Sequence, residues 1–197
     1  MSHSSGLPAE ITPGRPPELL PVVTGVSLRR RAMAHAPALN AAVAANLAHL
    51  RPWMEWAVRA PSPEATVETT RAGVAAWDAG TDFMYLACPD AEPDAVIGAF
   101  GLHGRIGPGA FELGYWVGLD HAGRGIATAA SRALTAAALA LPGIDRVEIH
   151  CDEANVPSAA VPRRLGYRLD RIVDAPATAP AETGRKMIWV TGPAAGA

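Results

Sequence analysis

The feature that most constrains this chain is a join between Phe111 and Leu141, FELGYWVGLDHAGRGIATAASRALTAAALAL. Phe111, Leu113, Tyr115 and Val117 alternate with Glu112, Gly114 and Trp116, which is the period of a strand. Gly118 and Asp120 end that run, and Gly123-Arg124-Gly125 follows. Beyond it Ile126, Ala130, Leu134, Ala137 and Leu141 fall near one face of a helix, which Pro142-Gly143 stops. The first turn of such a helix carries N–H groups without internal partners and the positive end of the dipole. Glycines just before it let the backbone come close to a ligand. The join therefore predicts an anion site suited to a phosphate or pyrophosphate, with Arg124 at its rim.

Several nucleotide sites share that physics. A P-loop needs GxxxxGK[ST], and no such run is present. A dinucleotide fingerprint puts a third glycine where Thr128 stands and follows a chain's first strand, whereas several strand-like runs precede this loop. Asp152 and Glu153, which close the next strand, are what remains of that reading. The block from Glu112 to Thr128 resembles motif A of the GNAT superfamily of acyl-CoA-dependent N-acetyltransferases. Gly125 and Ala127 match the last two fixed positions of its Q/R-x-x-G-x-G/A pattern, and Ala122 stands where Gln or Arg is usual. Asn155-Val156-Pro157-Ser158 and Arg164-Leu165-Gly166-Tyr167 resemble the branch that includes the RimJ/RimL-type N-terminal acetyltransferases.

At 197 residues one domain is expected, and a net charge of −2 with 18% charged residues gives no basic bias toward nucleic acid. Cys88 and Cys151 lie in apolar strand-like runs and read as two buried thiols in a reducing cytosol. No apolar run of membrane-spanning length and no signal peptide stand out, so a cytoplasmic location and no membrane partner are expected. Residues 1–21, with Pro8, Pro13, Pro16, Pro17 and Pro21, read as a mobile tail. The domain is expected over 22–192, with a short tail at 193–197, in a monomer or homodimer.

Along the chain, Val22–Arg31 reads as a strand and Ala36–Leu50 as a helix. Ser62 caps and Pro63 opens a second helix running to about Ala79. Strands are predicted over Phe83–Cys88, Ala95–Leu102, Phe111–Val117, Arg146–Cys151, Tyr167–Val173 and Lys186–Thr191, with a short helix over Ser158–Leu165. That order predicts an α/β chain with a mixed sheet and helices on both faces. The resemblance implies a GNAT-like, mostly antiparallel, twisted sheet of about seven strands.

Acyl transfer from a thioester needs a neutral amine, a donor for the oxyanion and a proton for the leaving thiolate. The resemblance implies acetyl-CoA or another acyl-CoA as co-substrate, with no metal, and an amine acceptor. It implies a cradle from Gly123, Arg124, Gly125, Ile126, Ala127 and Thr128. Trp116 and Val117 line the strand beside it, with the Val117 N–H as oxyanion donor. Asn155 would bond the pantetheine arm, and Arg163 or Arg164 the 3′-phosphate. Glu112 is the expected base, acting through water, with His103 the second candidate. Ser158 is the expected acid, because Pro162 stands where most relatives carry a tyrosine. Trp53 and Trp56 would wall the acceptor pocket. Acceptors fall into protein N-termini and small amines. A non-catalytic acyl-CoA-binding domain is the alternative.

Overall fold

Alternation along the strands sorts the core into two faces. Phe83, Tyr85, Phe100, Leu102, Phe111 and Leu113 belong to one buried cluster, whereas Leu86, Cys88 and Trp116, out of phase with them, belong to another. The computed structural model describes residues 14–192. The tail expected at 193–197, and residues 1–13 of the one expected at 1–21, lie outside that range.

Eight strands form one sheet: β1 (Leu19–Val23), β2 (Val26–Arg30), β3 (Asp82–Pro89), β4 (Gly98–His103), β5 (Ala110–Val117), β6 (Arg146–Asp152), β7 (Arg168–Asp174) and β8 (Arg185–Thr191). Their spatial order is β1-β2-β3-β4-β5-β6-β8-β7. Every junction is antiparallel except that between β5 and β6. The fold is the expected α/β arrangement with one strand more than expected. The reason is local: Val22–Arg31 is not one strand, because Thr24 and Gly25 turn the chain and Gly25 holds φ at +78°. β1 starts at Leu19, so the expected tail is too long at its end.

The helices are α1 (Ala36–Ala45), α2 (Leu47–Leu50), α3 (Pro63–Ala79), α4 (Ile126–Leu139) and α5 (Val156–Leu165). α4 lays Ile126, Ala130, Leu134 and Ala138 on the first face, and α1 lays Leu39 and Val43 on the second. α3 begins as its sequence predicts, with the Ser62 hydroxyl accepting from the Ala65 N–H at 3.2 Å. Near its end Trp77 meets Phe83 and Tyr85 edge-on, with ring centroids 5.1 and 5.0 Å apart.

The helix expected over Ala36–Leu50 is interrupted at Asn46, which leaves helical geometry at φ −105°, ψ 10°. Its side chain donates to the Ala42 carbonyl at 2.9 Å and accepts from the Leu119 N–H at 2.8 Å. The break between α1 and α2 thus pins the loop that leads into α4. Among the described residues no helix is long and apolar enough to cross a membrane.

Candidate active site

The loop after β5 is held at its start by two bonds, Gly118 N–H to the Ile97 carbonyl at 2.8 Å and the Asn46 contact to Leu119. Gly123 and Gly125 then take φ of +74° and +80°, and a Cβ at either would meet nothing within 4 Å. Gly125 is the N-cap of α4, so no side chain bonds to the helix's first amides. From Gly123 to Thr128 no backbone N–H is paired within the described residues. These donors border a cleft of about 680 Å³. Such an end binds an anion because its dipole and its N–H groups point the same way.

The sheet opens beside that cleft. β5 and β6 pair only over Ala110–Glu112 and Arg146–Glu148, then part. Gly118 donates toward β4, so strand alternation turns the N–H groups of Tyr115 and Val117 toward the opening, while that of Leu113 closes the last rung to β6. α5 stands across the gap. Its N-cap is Asn155, whose side-chain oxygen accepts from the Ser158 N–H at 3.2 Å. Ser158 is therefore inside the helix rather than at its start, and its hydroxyl is free of capping. The Asn155 oxygen is occupied, and its NH2 is left to donate.

A second cavity, of about 580 Å³, meets the cleft at Trp53, Met54, Tyr115, Trp116, Asn155 and Ser158, which line both. On its floor His103 pairs across the ladder with Glu112, and Gly101 with Gly114. Glu112 accepts two bonds from Arg105, at 2.8 and 2.7 Å. Burial pushes the Glu112 carboxyl up, but Arg105, His150 and His103 outweigh it and hold the group below the usual carboxylate range. A carboxylate held down in this way is a poor proton acceptor and a good counter-charge for a cationic amine.

His150 continues the chain of charges. Its Nδ1 is 3.7 Å from Glu112, and its Nε2 is 2.6 Å from the buried Glu148, which also accepts from Arg146 at 2.8 Å. His103 is held differently: its Nδ1 lies 2.8 Å from Asp82. An ionised carboxylate can only accept, so Nδ1 carries the proton and Nε2 of the neutral ring keeps its lone pair. A Cβ at Gly101 would lie 2.7 Å from that Nε2, so the glycine is what admits the ring.

The expected site residues are not all where the sequence suggested. Glu112, His103, Trp53 and Trp56 border the second cavity. Trp56 is 52% exposed and Trp53 half-buried, so both are wall rather than core. Trp116 packs its side chain in the second core cluster and offers the cleft its edge. Gly123, Gly125, Ile126, Ala127, Thr128, Asn155 and Ser158 border the cleft. Arg124 is exposed and does not line it. Nor does Arg163, whose guanidinium lies 5.3 Å from the centre of the Trp189 ring. One residue further round the helix, Arg164 does line it, as does Arg132. Sequence reasoning missed Arg132 and the contact of Tyr115 with Ser158, whose hydroxyls are 3.3 Å apart. The phase of Tyr115 with Phe111 and Leu113 marks it only as core.

A model of the acetyltransferase (GNAT) domain matches residues 26–168. Among solved structures, RimL, a ribosomal L7/L12 alpha-N-protein acetyltransferase in complex with coenzyme A, superposes with a TM-score of 0.80 at 26% identity, covering 89% of this chain and 98% of that one. An acetyltransferase from Salmonella typhimurium that modifies the N-terminal serine of ribosomal protein L7/L12 gives 0.76 at 26% identity, over 89% and 99%. The microcin C7 self-immunity acetyltransferase MccE, in complex with acetyl-CoA and AMP, gives 0.77 at 18% identity over 89% and 97%, a likeness of fold alone. No curated protein matches the chain in sequence.

Proposed function

The chain belongs to the GNAT acetyltransferase family, and on that footing we propose that it transfers an acetyl group from acetyl-CoA to a protein N-terminal α-amine within a ternary complex. One observation supports this most: the unpaired amides of Gly123–Thr128 border a cleft that runs, past an open strand edge, into a second pocket floored by an ionised carboxylate. The free amides fit the diphosphate of coenzyme A, and Arg132 and Arg164 are placed to take up further phosphate charge. The exposed amide edges of Tyr115 and Val117, with the Asn155 NH2, fit a pantetheine arm, which carries amide groups of its own.

The chemistry divides between the two cavities. On the acceptor side Glu112 draws the cationic amine in. His103, fixed by Asp82, takes its proton through water. An α-amine titrates near pH 8, so little is asked of the base. The nitrogen attacks the thioester carbonyl carbon, and the Val117 N–H donates to the oxygen as charge builds there. As the carbon–sulfur bond breaks, the Ser158 hydroxyl passes its proton to the sulfur and takes up in turn the proton that the newly bonded nitrogen must lose, so the serine ends as a hydroxyl and the product as a neutral amide. Trp53 and Trp56 wall the acceptor's entry.

The test is intact-mass analysis of peptides incubated with protein and acetyl-CoA. Peptides with a free α-amine gain one acetyl group, and the same peptides blocked at the α-amine but bearing lysine do not. Acetylation confined to small amines would replace the acceptor. Tight coenzyme A binding without turnover on any amine would mark a binding domain instead.

A further inference from the structure

Pro162 lies inside α5. It has no N–H, so the carbonyl of Ser158, four residues before it, loses its helical donor. A half-buried carbonyl is left to find one elsewhere. The donor is the Tyr115 hydroxyl, reaching across from β5 to the Ser158 carbonyl at 3.1 Å. The same phenol oxygen lies 3.3 Å from the Ser158 hydroxyl. With the phenol proton committed to the carbonyl, the Ser158 hydroxyl is the donor in that second contact. Burial pushes the Tyr115 phenol well above its ordinary range, only partly opposed by the Ser158 contact, so it stays protonated and remains a donor.

Tyr115 and Ser158 are 43 residues apart and sit where the two cavities meet. Phe100 stacks on the tyrosine ring, with centroids 5.9 Å apart, and fixes it from behind. A serine hydroxyl rotates freely unless something holds it. The Cys151 thiol also touches that hydroxyl; burial pushes it up to about 11 against the contacts of Ser158 and Trp189, so it is a neutral sulfur and only a weak acceptor beside the phenol oxygen.

We propose that Tyr115 is a positioning residue for the acid Ser158: Pro162 frees the Ser158 carbonyl, that carbonyl captures the phenol, and the phenol oxygen holds the serine hydroxyl in one rotamer, from which its proton turns to the departing sulfur. This rests on the acyl-transfer reading above.

The experiment is a double-mutant cycle of Tyr115→Phe and Pro162→Ala, read twice. In steady-state kinetics Tyr115→Phe lowers kcat by about tenfold or more, a fraction of what general acid catalysis supplies, and leaves the KM for acetyl-CoA within about threefold. Pro162→Ala restores an N–H to the carbonyl and releases the phenol. It too lowers kcat, and the double variant is no slower than the slower single one. In urea unfolding, Tyr115→Phe lowers the midpoint of the parent protein more than that of Pro162→Ala.

Multiplicative kinetic effects, an unchanged kcat in Tyr115→Phe, or a change in KM alone would overturn the proposal. So would independent stability effects, whatever the activity. A parent protein inert toward every amine would overturn the acyl-transfer reading and with it any catalytic role for Tyr115, even if the stability coupling were found.

Discussion

Glu112 and His103 face one pocket but answer to different partners. Glu112 titrates below its ordinary 4.5 because Arg105 and the histidines outweigh its burial. A carboxyl lowered on folding contributes stability that is present above 4.5 and lost as the pH falls through the folded value. Arg105 is 62% exposed, so solvent screening keeps this to no more than about 1 kcal/mol. Glu112→Gln should flatten the acid limb of the urea midpoint against pH and raise the KM for the amine. His103 depends on the bare backbone beneath it. Gly101→Ala would push a methyl against Nε2 and against the Met84 sulfur, each 2.7 Å from the new carbon, and should cost about 1–3 kcal/mol and most of the turnover. Gly114→Ala, whose Cβ would lie 3.5 Å from Nε2, should be mild by the same thermal and kinetic assays. The two residues were legible as candidates because each carries chemistry. Their ranking was not, since Asp82 is 21 residues from His103, and Arg105 is joined to Glu112 only by the turn between strands.

Single elements were legible where their signals are local. Ser62 and Pro63 announce α3 through cap chemistry that needs only neighbours, and the structure agrees with them residue for residue at the start. Ser62→Ala should lower stability by about 1 kcal/mol, read from urea midpoints, with acetyl-CoA affinity unchanged. The α5 start was misread because Asn155 and Ser158 both suit a cap, and only the fold shows that Asn155 takes the role. The hairpin of β1 and β2 was read as one strand because Thr24 and Gly25 are too short a break to stand out from the apolar residues on either side. The cradle at α4 was the most legible part, since its glycines and the helix that follows are contiguous. Gly125→Ala forces a Cβ into φ +80° and should cost about 1–2 kcal/mol. It should also weaken coenzyme A binding in calorimetry by about tenfold, the equivalent of about 1.4 kcal/mol.

At the scale of the molecule, binding and folding are linked. Coenzyme A at 100 times its dissociation constant should add about 2.7 kcal/mol, which for a protein this size raises Tm by roughly 5–10 °C. A thermal melt with and without the ligand reads this directly, and NAD in its place should do nothing. The whole-chain features least legible in sequence are the ones the site is made of. The parting of β5 from β6, and the meeting of Tyr115 with Ser158, depend on how far a parallel ladder extends, which no local pattern records.

The ladder between β5 and β6 is three residues long on each strand. Past it, the backbone of Tyr115 and Val117 offers rungs that no strand among the described residues takes up. A pantetheine arm, extended and amide-bearing, has the shape of such a strand, so the co-substrate would act for the length of one turnover as a borrowed ninth member of the sheet. Amide hydrogen exchange at Tyr115 and Val117 should be fast in the free protein and slow once coenzyme A is added, while Leu113, bonded to β6, and Trp116, hydrogen-bonded toward β4, stay protected throughout.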